Sequence, residues 1–571
     1  MLNENESSGC DAPVSSPTVV AAFVAALRQM GVVEAYGVMG GAIAPFLRAV
    51  HEGGLRIIHF RHEGGAAFAA VEASLAMRRP VLVFTTAGPG LANALVGMLA
   101  ARWEGAHVIF VSACTSAAHR GRVATQESTA HTLPAQGLLL PGGALHFAAI
   151  LEHPAQLSPI AAQLANGLAR PGGFVAHVSL PISVQRSAVS ALPVLPSRVG
   201  VEAGPQIAAQ HAAILADRPF VIWLGFGARH AAGPIRELAE RTGARVMCSP
   251  RAKGIFPEDH PQFLGVTGLG GHAEVDAALT RDRPAYTLVL GTRMGESTSF
   301  WAPELTPSRA FLHVDTDPTV FGAAYPEVPT QAVLAEIGGY VRGLLELLPG
   351  RAPRASMAEA RRPAPLTPRE TGPVRPQLLM QEIQRVFIDG GDAWIMAESG
   401  NAFCWSTHHL RFREPGRYRV STGFGSMGHA TTGVVGAALA RGSRAVALVG
   451  DGAMMMMNEV HTAVQHGADA VWIVINDACY LMCAQGMRVM GWEPFSCDLP
   501  RVDFVGLARA IGAAGVLVER EGDVRQALES VARMKGPVIV DVQSDPAEAP
   551  PSGRRNLNLM QQGFGAEGKS R

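Results

Sequence analysis

The sequence predicts an α/β protein of three domains, each a parallel β-sheet flanked by helices. Three observations lead there. The chain has 571 residues, more than one hydrophobic core serves, so several domains are expected. Apolar runs of strand length alternate with helix-period segments, the signature of parallel strands covered on both faces. One stretch rich in proline and arginine interrupts that rhythm, as a linker does.

Taken in order, residues 1–16 (MLNENESSGCDAPVSS) carry no basic region followed by an apolar stretch and read as a disordered leader, not a secretion signal. Residues 17–186 form the first α/β unit, with VVAAFVAALRQMG as a helix and EAYGV, PVLVFTT and HVIFVSA as strands. Residues 200–349 form the second, with strands PFVIWLG, RVMCSP, YTLVLG and AFLHVD. Residues 350–376 are the exposed linker. Residues 377–548 form the third unit, with strands AVALVG, AVWIVIN and PVIVDVQ, and 549–571 are a tail, mobile or folded over a site. The first and third units share a rhythm without a fixed-period repeat.

Composition narrows the function classes. Hydrophobic residues are 48% and charged residues 17%, which is globular. Lysine plus arginine and aspartate plus glutamate are 48 each, so there is no charge footprint for nucleic acid or an anionic membrane. No long apolar run of membrane-spanning length occurs. Seven cysteines without a CxxC argue against a disulfide framework or a zinc site, and Cys479 and Cys483 lack the further ligands a metal needs. A reducing, cytoplasmic setting is expected.

The sharpest motif is VALVGDGAMMMMNEVHTAVQHGADAVWIVINDACY, residues 446–480. A buried strand ends in Gly450-Asp451-Gly452, a helix follows, and a second strand ends in Asn476-Asp477. Glycines admit close approach of a ligand, and a helix N-terminus offers N–H groups to phosphate. Asp451 and Asp477 stand at the C-terminal ends of two parallel strands, where α/β sheets bind ligands. Two carboxylates with diphosphate oxygens suit magnesium. A GDG alone is more often a tight turn; the ordered strand–GDG–helix–strand–ND block is what points to function. For the run Met454–Met457, core packing is the expected role.

This block resembles the thiamine diphosphate (ThDP) motif of the acetohydroxyacid synthase, pyruvate oxidase and pyruvate decarboxylase superfamily, and the resemblance extends over nearly the whole chain. It implies an N-terminal pyrimidine-binding domain, a central domain and a C-terminal diphosphate-binding domain. It further implies ThDP and Mg2+ as cofactors, with Asp451, Asp477 and the backbone oxygen of Cys479 as metal ligands and Gly450, Gly452 and Ala453 at the diphosphate. Two departures stand out: the family usually has Asn at the place of Asp477, and the spacing from GDG to Glu459 is one residue shorter. ThDP needs one carboxylic acid in a dry pocket to activate its aminopyrimidine. IIHFRHEGGAAFAAVEASLA (57–76) offers Glu63 after a strand and at a helix start, as the family does; Glu72 lies two turns inside that helix.

Other segments agree with the resemblance. YGVMGGAI resembles the first glycine turn, with Gly40. TTAGPGLANAL resembles the TSGPGATN segment, bringing Gly88, Pro89 and Asn93. ESGNAF, with Ser399, Gly400 and Asn401, resembles the diphosphate loop. STGFGSMGHA resembles GGLGTMG, with Gly425, Ser426 and Met427, the last as the wedge beneath ThDP. RVATQESTAH resembles AFQE, keeping Gln126 to meet an intermediate oxygen but with Thr125 in place of Phe. His146 stands for an entrance lysine. GTRMGES keeps Arg293, which the family uses for a substrate carboxylate. YLMCAQGMRVMGW keeps Met482 and Gln485 and has Gly486 where the family has an acceptor-sizing tryptophan, which implies a larger or unusual acceptor. FAD in the central domain is left open, with GFGARHAAG, GLGG and DTDP as its candidate lining.

The expected function is an acetolactate synthase-like carboligase, a ThDP-dependent transferase or lyase taking a 2-oxo acid donor, pyruvate first, and a carbonyl acceptor. Simple decarboxylation is the alternative, with His62, His119 or His131 as acid. Fragment transfer to an amine, as in carboxyethylarginine synthase, and ThDP binding without turnover are further ones. A homodimer or homotetramer with the site between subunits is implied by the resemblance.

Overall fold

The structure is a computed structural model of the chain, and it describes residues 16–127, 144–196, 205–216, 218–350, 365–456 and 459–564. Most of the leader, His131, the middle of the linker, Met457 and the end of the tail lie outside the described residues.

Three six-stranded sheets, parallel throughout, organise the chain. The first holds Glu34–Gly37, Arg56–His59, Val81–Thr85, His107–Cys114, Phe147–Ile150 and Phe174–Pro181. Numbered along the chain, these lie in the order 2-1-3-4-6-5. The third holds Trp394–Ala397, Tyr418–Val420, Ala445–Gly450, Ala470–Asn476, Ala514–Val518 and Val538–Gln543 in that same order, which is the origin of the shared rhythm. The central sheet, Phe220–Leu224, Arg245–Cys248, Phe263–Val266, Tyr286–Leu290, Ala310–Asp315 and Thr330–Leu334, runs 3-2-1-4-5-6. The inner strands are near-continuous Val, Ile and Leu because both faces are covered: Val81–Thr85 and Ala470–Asn476 are buried at every position.

The first and third units share one hydrophobic core, while the central unit keeps its own. The joint is a helix pair. The helix Glu63–Met77 is buried from Glu63 through Ser74, as a helix apolar all round must be, and lies against the helix His429–Arg441. Its small residues allow that approach: a β-carbon on Gly436 would fall 2.0 Å from the Ala69 carbonyl oxygen. Glu72 meets His429 and Ala69 meets Gly436, so the two helices run antiparallel.

At the junction of all three units lies a buried charge cluster. Arg419 donates to Glu72 Oε2 and Oε1 at 3.0 and 2.8 Å and to Glu104 at 3.0 Å. Arg251 pairs with Glu104 at 2.8 Å and His429 Nε2 lies 2.9 Å from Glu72. Burial alone would raise the Glu72 carboxyl, but Arg419 and His429 pull it well below the carboxylate range. Glu72 is therefore a structural charge.

Two sequence expectations change, those for the linker and the methionine run, and of the two readings of the tail the structure has the ordered one. The C-terminal part of the linker is tied down: Arg375 pairs with Glu521 at 2.6 Å, and Arg369 with Asp545 and Glu548 at 2.8 and 2.7 Å. The tail forms a helix, Gly553–Phe564, against Leu481–Val489. Of the methionine run, Met454 is core, but Met455 and Met456 are each 54% exposed.

Candidate active site

The C-terminal ends of the first sheet gather one set of the expected residues. Gly40 follows the first strand and abuts Thr86; a β-carbon there would sit 2.5 Å from the Thr86 Cβ. Glu63 opens its helix, with His62 Nδ1 accepting from Gly64 N–H at 3.0 Å to cap it. Asn93 Nδ2 donates to Glu63 Oε2 at 3.0 Å. Oε1 lies toward Gly90, where a β-carbon would stand 3.1 Å away, so the absence of a side chain keeps that oxygen accessible. Gly88, at φ +53°, lets Pro89 begin the helix Pro89–Glu104 and leaves no room for a β-carbon against the Gln126 backbone, 2.7 Å away. Gln126 is exposed and held at φ 60°, a conformation few non-glycine residues adopt and one that clusters at functional sites. The buried carboxylate of Glu127 fixes this loop by accepting from the N–H groups of Gly121 and Ala124.

The C-terminal ends of the third sheet gather the second set. Ser399 Oγ donates to the Gly425 carbonyl at 2.8 Å, joining two of its loops. β-Carbons on Gly400, Gly425 and Gly450 would meet nothing within 4 Å, so these turns border open space. Beside them Asp451 uses Oδ1 to accept from Gly452 N–H at 2.8 Å. Asp451 Oδ2 and Asp477 Oδ1 are buried without a partner. Burial and then Asp451 push the Asp477 carboxyl up to about 7, and burial raises Asp451 as well. Two buried carboxylates with orphaned oxygens beside open glycine turns fit a divalent cation and a diphosphate. Ala453 is buried in the short helix Asp451–Met454, and the Tyr480 ring packs over Gly452. Cys479, two residues after Asp477, forms an antiparallel backbone β-bridge with Asp498. Ser426 and Met427 are half-buried in the 421–428 loop, and Met482 is half-buried at the start of its helix. Asn401 Nδ2 donates to Gln485 at 3.1 Å.

Arg293 belongs with the second set. It stacks over the Trp103 ring at 4.9 Å and donates to the Trp103 carbonyl, and Trp103 in turn packs on Gly423. His146 joins neither set as expected. It precedes an edge strand, at the N-terminal end of the first sheet, opposite Glu63 and Gln126. Its Nδ1 accepts from Val175 N–H at 2.9 Å and its ring stacks on Phe174. Burial, then Arg102 and Arg170, lower it to about 4, so it is a neutral brace between strands. In the central unit, Gly225 and Gly291 follow adjacent strands at the switch point of the sheet, where nucleotides often bind, but here the two turns pack on each other, Gly227 N–H donating to the Gly291 carbonyl at 3.0 Å, with Arg229, Arg251 and Arg419 around the Phe226 ring.

Sequence reasoning did not single out Glu459 as a site residue. Buried, it accepts from the N–H groups of Arg61 and His62 and from Thr462, and so anchors the entry to the Glu63 helix from the third unit. Arg61 and His62 lie almost four hundred residues away in the chain, beyond any local signal.

Comparison with known proteins follows this layout. Residues 17–133, 207–344 and 398–542 match the N-terminal TPP binding, central and C-terminal TPP binding domains of thiamine pyrophosphate enzymes. The chain is 27% identical over 550 residues to an acetolactate synthase of Mycobacterium avium, covering 90% of this chain and 86% of that protein. It is 26% identical over 538 residues to the acetolactate synthase isozyme 1 large subunit of Escherichia coli K12, covering 91% and 93%. A solved structure described as a thiamin diphosphate-dependent enzyme from Mycobacterium smegmatis shares the fold, with a TM-score of 0.80 at 21% identity, covering 93% of this chain and 100% of that one. Among the described residues no helix is long and apolar enough to cross a membrane.

Proposed function

Because the chain belongs to the thiamine pyrophosphate enzyme family, we propose that it is an acetolactate synthase-like carboligase. In this reading it decarboxylates a 2-oxo acid, pyruvate first, and joins the remaining acyl fragment to a carbonyl acceptor. The observation that carries the reading is the pair of orphaned oxygens on Asp451 and Asp477 beside the open turns at Gly400, Gly425 and Gly450. When bound, thiamine diphosphate supplies the nucleophilic carbon and the electron sink that the decarboxylation needs. We assign Asp451, Asp477 and the Cys479 backbone oxygen to magnesium.

The remaining work falls to side chains. Glu63 is 8% exposed and has one oxygen held by Asn93, which leaves the other to hold a proton against the cofactor's pyrimidine. Gln126 presents an amide from a fixed loop to a substrate oxygen. Arg293, oriented by Trp103, offers its fork of donors to a substrate carboxylate. Antiparallel packing separates the two sets within one chain. Glu72 touches His429, so Glu63, nine residues earlier, lies about 13 Å farther along the helix axis from the Met427 loop. Two copies exchanging half-sites would restore proximity, and we propose a homodimer or a higher homo-oligomer on that ground. Whether the central unit holds FAD is decided by visible flavin absorbance of the purified protein.

The test is NMR of products from carbon-13 pyruvate with the ThDP- and magnesium-loaded protein and a panel of acceptors. A new carbon–carbon bond, lost in Glu63→Gln, is expected. Acetaldehyde alone would make the protein a decarboxylase.

A further inference from the structure

Gly486 sits buried inside the helix Leu481–Val489, where glycine costs about 1 kcal/mol relative to alanine. The space its side chain would enter is taken from outside the helix. A β-carbon on Gly486 would stand 3.7 and 3.9 Å from Nη1 and Nη2 of Arg555. Arg555 comes from the first turn of the tail helix Gly553–Phe564, and that helix is pinned elsewhere. Arg554 donates to Asp276 at 2.8 Å, and Asn558 to Glu296 at 2.6 Å.

The two neighbouring arginines differ. Arg554 is ion-paired to the central unit. Arg555 is half-buried, reaches only Asn556 Oδ1 at 3.5 Å, and has no carboxylate in ion-pair range among the described residues. Its guanidinium lies against Gly486, on the helix that adjoins the second half-site. The Gly486 helix begins directly after the Asp477–Tyr480 loop, Gln485 accepts from Asn401, and Asn401 Oδ1 is buried without a partner. A half-buried guanidinium with no counter-charge beside a substrate site is a receptor for an anion.

We propose that Arg555 receives an anionic terminus, carboxylate or phosphate, of the acceptor substrate, and so selects charged acceptors over neutral ones. This rests on the carboligase reading for the identity of its ligand as an acceptor. The same geometry explains how a glycine at 486 coexists with a filled pocket: the guanidinium occupies part of the space a large side chain would need.

Two measurements on the ThDP- and magnesium-loaded protein test it. In the first, pyruvate is the donor and acceptors are compared in pairs: succinic semialdehyde with butyraldehyde, and glyceraldehyde 3-phosphate with glyceraldehyde. Arg555→Gln is expected to raise KM for the charged member of the pair the enzyme prefers by about tenfold or more relative to its neutral partner, with a smaller fall in kcat and partial rescue by Arg555→Lys. Equal losses on charged and neutral acceptors, or none, overturn the proposal. In the second, wild type and Arg555→Gln are titrated calorimetrically with succinate and with glycerol 3-phosphate, neither of which carries a carbonyl to react. Binding of one of them, weakened about tenfold or more in the variant, supports the proposal and says which terminus is read. Binding of neither to wild type, or equal binding to both proteins, overturns it. If no donor is turned over at all, the carboligase reading fails, and the titration still judges Arg555.

Discussion

Asn93 holds Glu63 by one oxygen in the first turn of a buried helix, and that arrangement predicts a narrow defect. Glu63→Gln should slow proton exchange at the C2 carbon of bound ThDP by about a hundredfold or more, while ThDP binding, followed by calorimetry, stays near wild type. At the metal, Asp451→Ala should abolish magnesium-dependent ThDP binding. Asp477→Asn, which keeps an oxygen ligand and removes the repulsion between the two buried carboxylates, should retain it; loss of binding in Asp477→Asn alone would contradict the assignment. His429 gives the pH dependence. Burial lowers its pKa, but the hydrogen bond and charge of Glu72 raise it overall above the ordinary value. A group with a raised folded pKa binds more protons when folded, so its contribution is complete below the unfolded pKa of about 6.5 and is lost as pH rises through the folded value. The melting-temperature advantage of wild type over His429→Gln should therefore be largest near about pH 6 and shrink toward about pH 9. Glu63, Asp451 and Asp477 could be proposed from sequence because each sits in a local strand–turn–helix pattern. His146 was misplaced because similarity in chain order says nothing of which end of a sheet a residue occupies. Arg555 and Glu459 were invisible because what they touch is set by the fold.

At the scale of elements, the helix pair Glu63–Met77 and His429–Arg441 holds the first and third units together through small residues. Gly436→Val should cost about 2 kcal/mol or more, because its side chain would collide with the backbone of Ala69, and thermal unfolding would show it. Arg419→Met leaves Glu72 and Glu104 buried with less counter-charge and should cost about 3–5 kcal/mol; an unchanged melting temperature would mean that the cluster is replaceable. The strands were legible as apolar runs, since burial on both faces leaves little else. Sheet order was not, because hydrophobicity says that a strand is inside and nothing of its neighbours. How the stretch 365–376 and the tail are held was not legible for a different reason. Each is held by ion pairs to distant residues, such as Arg375 to Glu521 and Arg554 to Asp276, which no local pattern announces.

At the scale of the molecule, three parallel sheets place two incomplete half-sites on one chain. The first has Glu63, the proposed acid, with Gln126; the second has Asp451 and Asp477, the proposed metal carboxylates, with the open turns, Arg293 and Arg555. The helix pair that makes the fold compact also keeps Glu63 away from the Met427 loop, and in the proposed homo-oligomer Glu63 of one copy serves the Asp451 half-site of another. The exposed Met455 and Met456 beside the metal turn leave apolar surface where such a contact would fall. The direct test is complementation. Glu63→Gln and Asp451→Ala, each inactive alone, are mixed, dissociated and reassociated, and carbon–carbon bond formation from carbon-13 pyruvate is measured. If sites are shared between chains, half of the dimers are mixed and each carries one intact site, so activity should return to about a quarter of the wild-type value. No recovery from a mixture shown to contain mixed dimers, with wild type active under the same conditions, would place both half-sites within one chain and contradict the account.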